Sequence, residues 1–188
     1  NNKLIAEYAI EKRLFIPFES IPDKVINSFL SAEDKNFFSH PGVDAKGILR
    51  AIFKNIKNIS QNKRLEGAST ITQQVAKNFL LTNEVSIKRK VKEAILAFRI
   101  ERAYTKERIL ELYLNQIYLG SGAYGVAAAS LEYFDKSIKD LNYSEAALLA
   151  ALPKAPSRYN PYRNLDVAKF RRNLVLKNLL ENNYLPLE

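Results

Sequence analysis

The chain has 188 residues, a net charge of +9 and a hydrophobic fraction of 47%, which allows one domain with a hydrophobic core. It contains no cysteine, so a disulfide, a thiolate metal site and a cysteine nucleophile are excluded. No apolar run reaches the roughly 18 residues of a membrane span, and the positive charge favours partners that carry phosphate groups. Methionine is also absent, even at position 1, so we expect a processed chain or a piece of a longer protein.

The hydrophobic pattern is mostly helical and has no internal repeat, so it predicts a mainly α fold with a single domain over 1–188. One short strand is predicted at 13–18 and a loop at 63–69. Helices are predicted at 22–37, 45–59, 70–81, 86–104, 106–118, 123–134, 144–152 and 165–182. Pro22 suits the first turn of the first helix, and Gly120 and Gly122 follow the end of the fifth.

The first helix carries a carboxylate within its apolar stripe. Five residues share this face by their helical spacing: Ile26, Phe29, Leu30, Glu33 and Phe37. Desolvation there is expected to raise the pKa of Glu33, as in a general acid or base, although a structural ion pair explains the same position. Asp34 is rotated off the stripe. The only histidine, His40, is interpreted as a residue that positions the HPG loop.

A basic amphipathic helix follows. Between 45 and 65 there are six Lys or Arg residues and no acid. Apolar residues recur at helical spacing on one side: Ile48, Leu49, Ile52, Phe53 and Ile56. Arg50, Lys54 and Lys57 lie on the other. Such a helix is typical of a membrane interface, and a core helix with a solvated face looks similar.

The segment 67–78 predicts a helix with an uncharged polar stripe. Ile71, Val75 and Phe79 repeat every four residues and are expected to face the core, and Ser69 or Thr70 can cap the helix. The opposite stripe offers hydroxyls, amides and one cation: Thr70, Gln73, Gln74 and Lys77. These groups suit sugar hydroxyls and phosphate oxygens, and the alternative is a solvated helix face.

A second carboxylate lies among cations in the helix at 86–104. Its core stripe is expected to contain Ile87, Val91, Ala94, Ile95 and Phe98. Arg89, Lys90, Glu93 and Ala97 line an adjacent face. This arrangement is either ordinary surface pairing or a clamp for a diphosphate, with Glu93 helping to hold a divalent cation.

Five segments in chain order resemble the motifs of the peptidoglycan glycosyltransferase family, which comprises the polymerase domains of class A penicillin-binding proteins and the monofunctional transglycosylases. They are EDKNFFSHPGVD (33–44), GASTITQQVAKN (67–78), RKVKE (89–93), KERILELYLNQIYLG with AYGVAAAS (106–130) and SEAALLAALPKAPSRYNP (144–161). The resemblance covers nearly the whole chain, and five ordered motifs are far more specific than any one of them.

The resemblance implies a lysozyme-like helical fold with a large lobe, a small membrane-facing lobe and a cleft between them. The membrane-facing segment is expected at about 45–66. The implied partners are lipid II, the growing glycan chain and the membrane surface, at the outer face of the bacterial cytoplasmic membrane. An N-terminal anchor and any transpeptidase domain are expected to lie outside this chain.

The resemblance also implies roles for individual residues. Glu33 matches the catalytic base, and Glu93 is expected to act with it. Substrate contacts are expected from Asp34, Ser69, Thr70, Gln74, Lys77, Asn78, Arg89 and Lys90. A divalent cation, Mg²⁺ or Mn²⁺, is expected near Glu33 and Glu93.

Two alternatives remain open from the residues. A lysozyme-type hydrolase also uses two carboxylates, but glycan hydrolysis releases no diphosphate and needs no cation cluster such as that at 89–90. A nucleic-acid-binding module is compatible with the charge. No nucleic acid partner is expected, however, because the basic residues are not interleaved with aromatics that could stack on bases.

Overall fold

The computed structural model describes residues 11–60, 69–79 and 86–185. Within these ranges the helices are α1 (Asp23–Glu33), α2 (Ala45–Ser60), α3 (Ile71–Phe79), α4 (Ile87–Ala103), α5 (Lys106–Gln116), α6 (Val126–Phe134), α7 (Tyr143–Ala151) and α8 (Leu165–Glu181). Two-residue strands, β1 (Lys12–Arg13) and β2 (Ala123–Tyr124), pair in parallel with Lys12 opposite Ala123. Short 3₁₀ helices lie at Phe18–Ser20, Phe37–Ser39 and Ile138–Asp140. The predicted mainly α fold is confirmed, and none of the described helices is long and apolar enough to cross a membrane.

The elements before residue 40 are shorter than predicted. The strand expected at 13–18 is limited to Lys12–Arg13, and Pro17, which lacks an N–H and has φ −62°, cannot continue a ladder. The first helix ends at Glu33 rather than at residue 37, because the Asp34 side chain is held by partners outside the helix. Most of the loop predicted at 63–69 lies outside the described residues.

The chain forms two compact units, and the first comprises Asn1–Ala32 and Leu114–Glu188. Its core is built around α7, whose alanines are fully buried and allow α8 to pack closely. The start of α7 is fixed by a capping box, in which Asn142 and Glu145 exchange side-chain hydrogen bonds with each other's backbone N–H.

The second unit is Glu33–Tyr113, and in it α3 packs against α4. Every polar residue named for the site, from Glu33 to Lys90 and Glu93, belongs to this unit. The candidate site therefore lies within this one compact unit.

The prediction of the core-facing side of α4 is wrong. Among the residues expected to be core, Ile87 is 85% exposed and Phe98 is 43% exposed, and Val91 and Ile95 are also exposed. The buried side chains are Glu93, Ala97 and Ile100. Apolar periodicity identifies a helix and its stripe, but packing against α3 decided which side of α4 is covered.

Candidate active site

Glu33 is the last residue of α1, and an amide holds its carboxylate. The side chain is half-buried, and Oε2 accepts a hydrogen bond of 2.9 Å from Nε2 of Gln74 on α3. The sequence placed both residues in the site, and the structure brings them together across 41 positions of chain. The raised pKa expected for Glu33 stays a prediction.

Asp34 is buried and ties the end of α1 to the start of α3. Its carboxylate oxygens lie 3.0 Å from Nε2 of His40, and Oδ2 accepts a 2.9 Å hydrogen bond from the backbone N–H of Ile71. Ile71 is the first residue of α3, so Asp34 satisfies a donor that the helix itself leaves without a partner. Because Gln74 is one turn further along α3, this bond also sets where Gln74 meets Glu33. The substrate contact expected of Asp34 stays a prediction.

His40 is buried in a single tautomer. Its Nδ1 accepts a hydrogen bond of 3.1 Å from the N–H of Gly42, so the ring proton is assigned to Nε2, which donates to Asp34. Gly42 has φ +97°, and a Cβ there would lie 2.9 Å from Cγ of Glu101, so this turn requires glycine. The geometry agrees with the interpretation of His40 as a residue that positions the loop.

A second layer of polar contacts supports the same loop. Nζ of Lys106 donates to the carbonyl oxygen of His40 at 2.7 Å and to Oε1 of Glu101 at 2.8 Å. Thr72 donates its hydroxyl to the same Glu101 oxygen at 2.5 Å. Lys106 also lies 4.4 Å from the centroid of the Phe37 ring, a cation–π contact. Sequence reasoning missed this network because its partners lie as far as 66 positions apart and share no local pattern.

The second carboxylate and its cations form one cluster at the start of α4. Glu93 is 3% exposed. Its Oε2 accepts from Nζ of Lys90 at 2.6 Å, and its Oε1 lies 3.3 Å from Nε of Arg89. Lys90 also donates to the Ser69 hydroxyl at 3.3 Å. The cluster has more positive than negative charge, and its exposed member, Lys90, is a cation.

The predicted polar stripe of α3 is buried at its start and exposed at its end. Thr70 is the N-cap: its hydroxyl accepts from the N–H of Gln73 at 3.1 Å, and the Gln73 side chain accepts from the N–H of Thr70 at 3.0 Å. The Thr70 hydroxyl also donates to the carbonyl of Gly42 at 2.6 Å. Lys77 and Asn78 are exposed at the other end of α3. Thr70 therefore has a structural role, and its expected substrate contact stays a prediction.

Tyr113 on α5 is a residue of the site that sequence reasoning missed. It is fully buried, and burial raises the pKa of its phenol well above the ordinary value, with the charges of Glu33 and Asp34 acting in the same direction. The phenol therefore stays protonated close to both carboxylates. Its pattern position is that of an ordinary core aromatic, so no sequence signal singled it out.

The expected metal ligands, Glu33 and Glu93, already have polar partners. The described residues contain no group of three or more His, Cys, Asp or Glu side chains that could hold one. Both Glu93 oxygens already contact cations, and Glu33 accepts from an amide. The expected cation near Glu33 and Glu93 stays a prediction, and no catalytic step below depends on it.

One compact helical unit thus holds one carboxylate by an amide and a second carboxylate between two cations. The chain matches the family described as Transglycosylase over residues 1–180. The chain belongs to the transglycosylase family.

Named relatives agree with this assignment. The chain is 59% identical over 185 residues to penicillin-binding protein 1A of Rickettsia felis, covering 98% of this chain and 23% of that protein. It is 52% identical over 186 residues to penicillin-binding protein 1A of Aquifex aeolicus, covering 99% of this chain and 25% of the relative. The crystal structure of penicillin-binding protein 1A from Haemophilus influenzae matches with a TM-score of 0.56 at 29% identity, covering 98% of this chain and 17% of that one. The chain thus spans about a quarter or less of the length of these relatives.

Proposed function

We propose that this domain polymerises lipid II into β-1,4-linked glycan strands, with Glu33 as the general base. The observation that carries the proposal is the Glu33–Gln74 hydrogen bond in the same compact unit as the cluster of Glu93, Arg89 and Lys90. The first group suits activation of a sugar hydroxyl, and the second suits a leaving diphosphate.

Glu33 takes the proton of the acceptor GlcNAc 4-hydroxyl. The oxygen attacks C1 of the terminal MurNAc on the growing chain, the bond from C1 to the phosphate oxygen breaks, and its electron pair leaves with undecaprenyl diphosphate. Attack from the opposite face inverts the anomeric configuration from α to β. Gln74 fixes the carboxylate orientation, and such positioning is a large part of the efficiency of a general base.

Lys90 and Arg89 stabilise the negative charge that develops on the diphosphate. Charge stabilisation by groups already in place is commonly the largest single contribution to a rate. Glu93 holds both cations where they are needed, which makes it a positioning residue in this mechanism. Ser69 and the exposed Lys77 and Asn78 supply further polar groups for the substrate.

The apolar face of α2 supports a membrane-facing segment at 45–66, of which residues 61–66 lie outside the described residues. Four apolar side chains of α2 are exposed: Leu49, Ile52, Phe53 and Ile56. Phe53, at 72%, is the most exposed of them. A helix with an exposed apolar face and a basic face is suited to the membrane interface, where lipid II is located.

Replacing Ile52 and Phe53 by serine should weaken binding to liposomes about tenfold or more, because two large apolar side chains no longer enter the interface. Flotation with vesicles measures this. A matched control, Phe170→Ser with Leu174→Ser on α8, removes an exposed apolar pair from the first unit and should leave binding unchanged. Unchanged liposome binding by the α2 variant would show that this helix does not contact the membrane interface.

We further propose that the parent protein carries a transpeptidase domain and a membrane anchor outside this chain and acts at the outer face of the cytoplasmic membrane. The name penicillin-binding protein 1A of the relatives supports this. Labelling of the full-length parent with a fluorescent penicillin tests it, and no label would refute the transpeptidase.

The decisive assay incubates the chain separately with lipid II, finished glycan and DNA. Polymer formed from lipid II supports the proposal. Cleavage of glycan without polymerisation would establish the hydrolase, and DNA binding as tight as lipid binding would favour a nucleic-acid module. Adding EDTA and then Mg²⁺ or Mn²⁺ tests whether polymerisation requires a divalent cation. Full activity in the presence of EDTA would exclude this requirement.

A further inference from the structure

The outward side of α4 is an apolar stripe, although the sequence predicted it to be core. Its members lie one helical turn apart and are exposed: Ile87, Val91, Ile95 and Phe98. From Ile87 to Phe98 the stripe is about 16 Å long at 1.5 Å per residue. This is close to one leaflet of a bilayer, about half of the 30 Å hydrocarbon core. It therefore matches the length of a phospholipid acyl chain.

Two cavities lie at the C-terminal end of this stripe. One, of about 590 Å³, has Phe38, Pro41 and Phe98 as its apolar lining. The other, of about 410 Å³, is lined by Ile95, Phe98, Arg99 and Arg102. Phe98 and Arg102 line both cavities, so the apolar stripe leads into a recess that contains cations.

Among the described residues, the recess carries more positive than negative charge. No carboxylate of the described residues lies within ion-pair distance of Arg99 or Arg102. The carboxylate in the larger cavity, Glu101, is already bonded to Lys106 and Thr72. Two guanidinium groups one turn apart are well suited to phosphate oxygens, which they can bind in a bidentate manner.

We propose that the outward side of α4 binds one anionic phospholipid, with its phosphate at Arg99 and Arg102 and one acyl chain along Phe98, Ile95 and Val91. The site goes beyond the proposed function, because the cluster of Glu93, Arg89 and Lys90 lies on the opposite side of the helix. The two unbalanced arginines favour an anionic lipid over a zwitterionic one, which brings its own cation. The two arginines also argue against a second copy of this chain as the occupant of the site. An apolar face of a second copy would leave both positive charges uncompensated.

The bound lipid would touch the loop of the active site. His40 and Lys106 line the larger cavity, and both belong to the network that holds Asp34. The phospholipid would thus pack against the outer side of the loop that contains His40. The contact of His40 with Asp34 helps to hold the neighbouring Glu33 in position.

The chain contains no tryptophan, so Phe98→Trp creates a single fluorescent reporter at the site. Short-chain phosphatidylglycerol, kept below its micelle concentration, should shift the emission to shorter wavelength with one-to-one stoichiometry. The phosphatidylcholine of the same chain length should not. Phe53→Trp, on α2, reports the general membrane interface and should not respond to the monomeric lipid.

In the Phe98→Trp background, replacing Arg99 and Arg102 by glutamine should weaken phosphatidylglycerol binding about thirtyfold, since each basic residue contributes about fivefold at an anionic surface. The matched control, Lys46→Gln with Arg50→Gln on α2, removes the same charge and should change binding less than about threefold. Equal losses in both pairs would mean unspecific attraction and would overturn the proposal.

Three other outcomes would also overturn it. Glycerol phosphate binding as tightly as the short-chain lipid would indicate a free-phosphate site. Emission that depends on protein concentration without lipid would indicate a second copy. A phosphatidylcholine response equal to that of phosphatidylglycerol would exclude recognition of the anion. The Glu33→Gln variant should bind the lipid normally, so failure of this site and failure of the proposed reaction are separate results.

Discussion

Replacing Glu33 by glutamine should lower polymerisation of lipid II by about 10²–10⁴-fold, the usual contribution of a general base. The amide has nearly the shape of the carboxylate and can still pair with Gln74, but it cannot accept the proton of the acceptor hydroxyl. Binding of lipid II should survive, because Arg89 and Lys90 are unchanged. Single-turnover polymerisation and equilibrium binding of lipid II measure the two effects separately.

The control for this variant is Glu107→Gln, which removes one carboxylate from an exposed position in the first turn of α5. It should polymerise normally, and both variants should unfold at the temperature of the wild type. Near-normal turnover by Glu33→Gln would refute the role of Glu33. A loss of lipid II binding together with turnover would instead assign Glu33 to binding.

The helices of this chain were largely predictable because an apolar period of 3.6 extends over many residues. For α4 the bounds are correct within one residue, yet its predicted core side is exposed. A single-helix pattern reports that apolar residues share a stripe, but not which stripe a neighbouring helix covers. Here α3 covers the side that contains Glu93 and Ala97, and this long-range packing is absent from any local window.

The contacts of the candidate site were predictable where both partners lie a few residues apart in one segment. The hydroxyl residues before α3 predicted a cap at Ser69 or Thr70, and the structure shows Thr70 in this role. The contact of Asp34 with the N–H of Ile71, 37 positions away, depends on the tertiary fold and has no such signal. Tyr113 was missed for the same reason, since its proximity to both carboxylates arises only after α5 packs.

The α2 helix is an intermediate case. Its pattern indicated either an interface helix or a core helix with a solvated face. The two differ only in whether other parts of the protein cover Ile52 and Phe53. The structure leaves both exposed, which removes the core alternative for these side chains and supports the membrane proposal.

The second large effect is expected for Asp34→Asn, which should lower the free energy of unfolding by about 1–3 kcal/mol, the usual penalty for a buried polar group left without its partner. The Asp34 carboxylate accepts from two donors, the N–H of Ile71 and Nε2–H of His40. An asparagine has a single acceptor oxygen, so its NH₂ group must face one of these donors. His40 cannot relieve this by moving its proton to Nδ1, because Nδ1 accepts from the N–H of Gly42.

Polymerisation should fall as well, because loss of the Ile71 contact frees the start of α3 and with it the Gln74 amide that orients Glu33. As a positioning residue, Asp34 should affect kcat more than KM. Chemical denaturation and steady-state kinetics measure both effects, with the exposed Asp140→Asn as the matched control. Equal stability of the two variants would show that the buried contacts of Asp34 do not hold α3. Normal stability with a raised KM would instead support the direct substrate contact that the family resemblance implies.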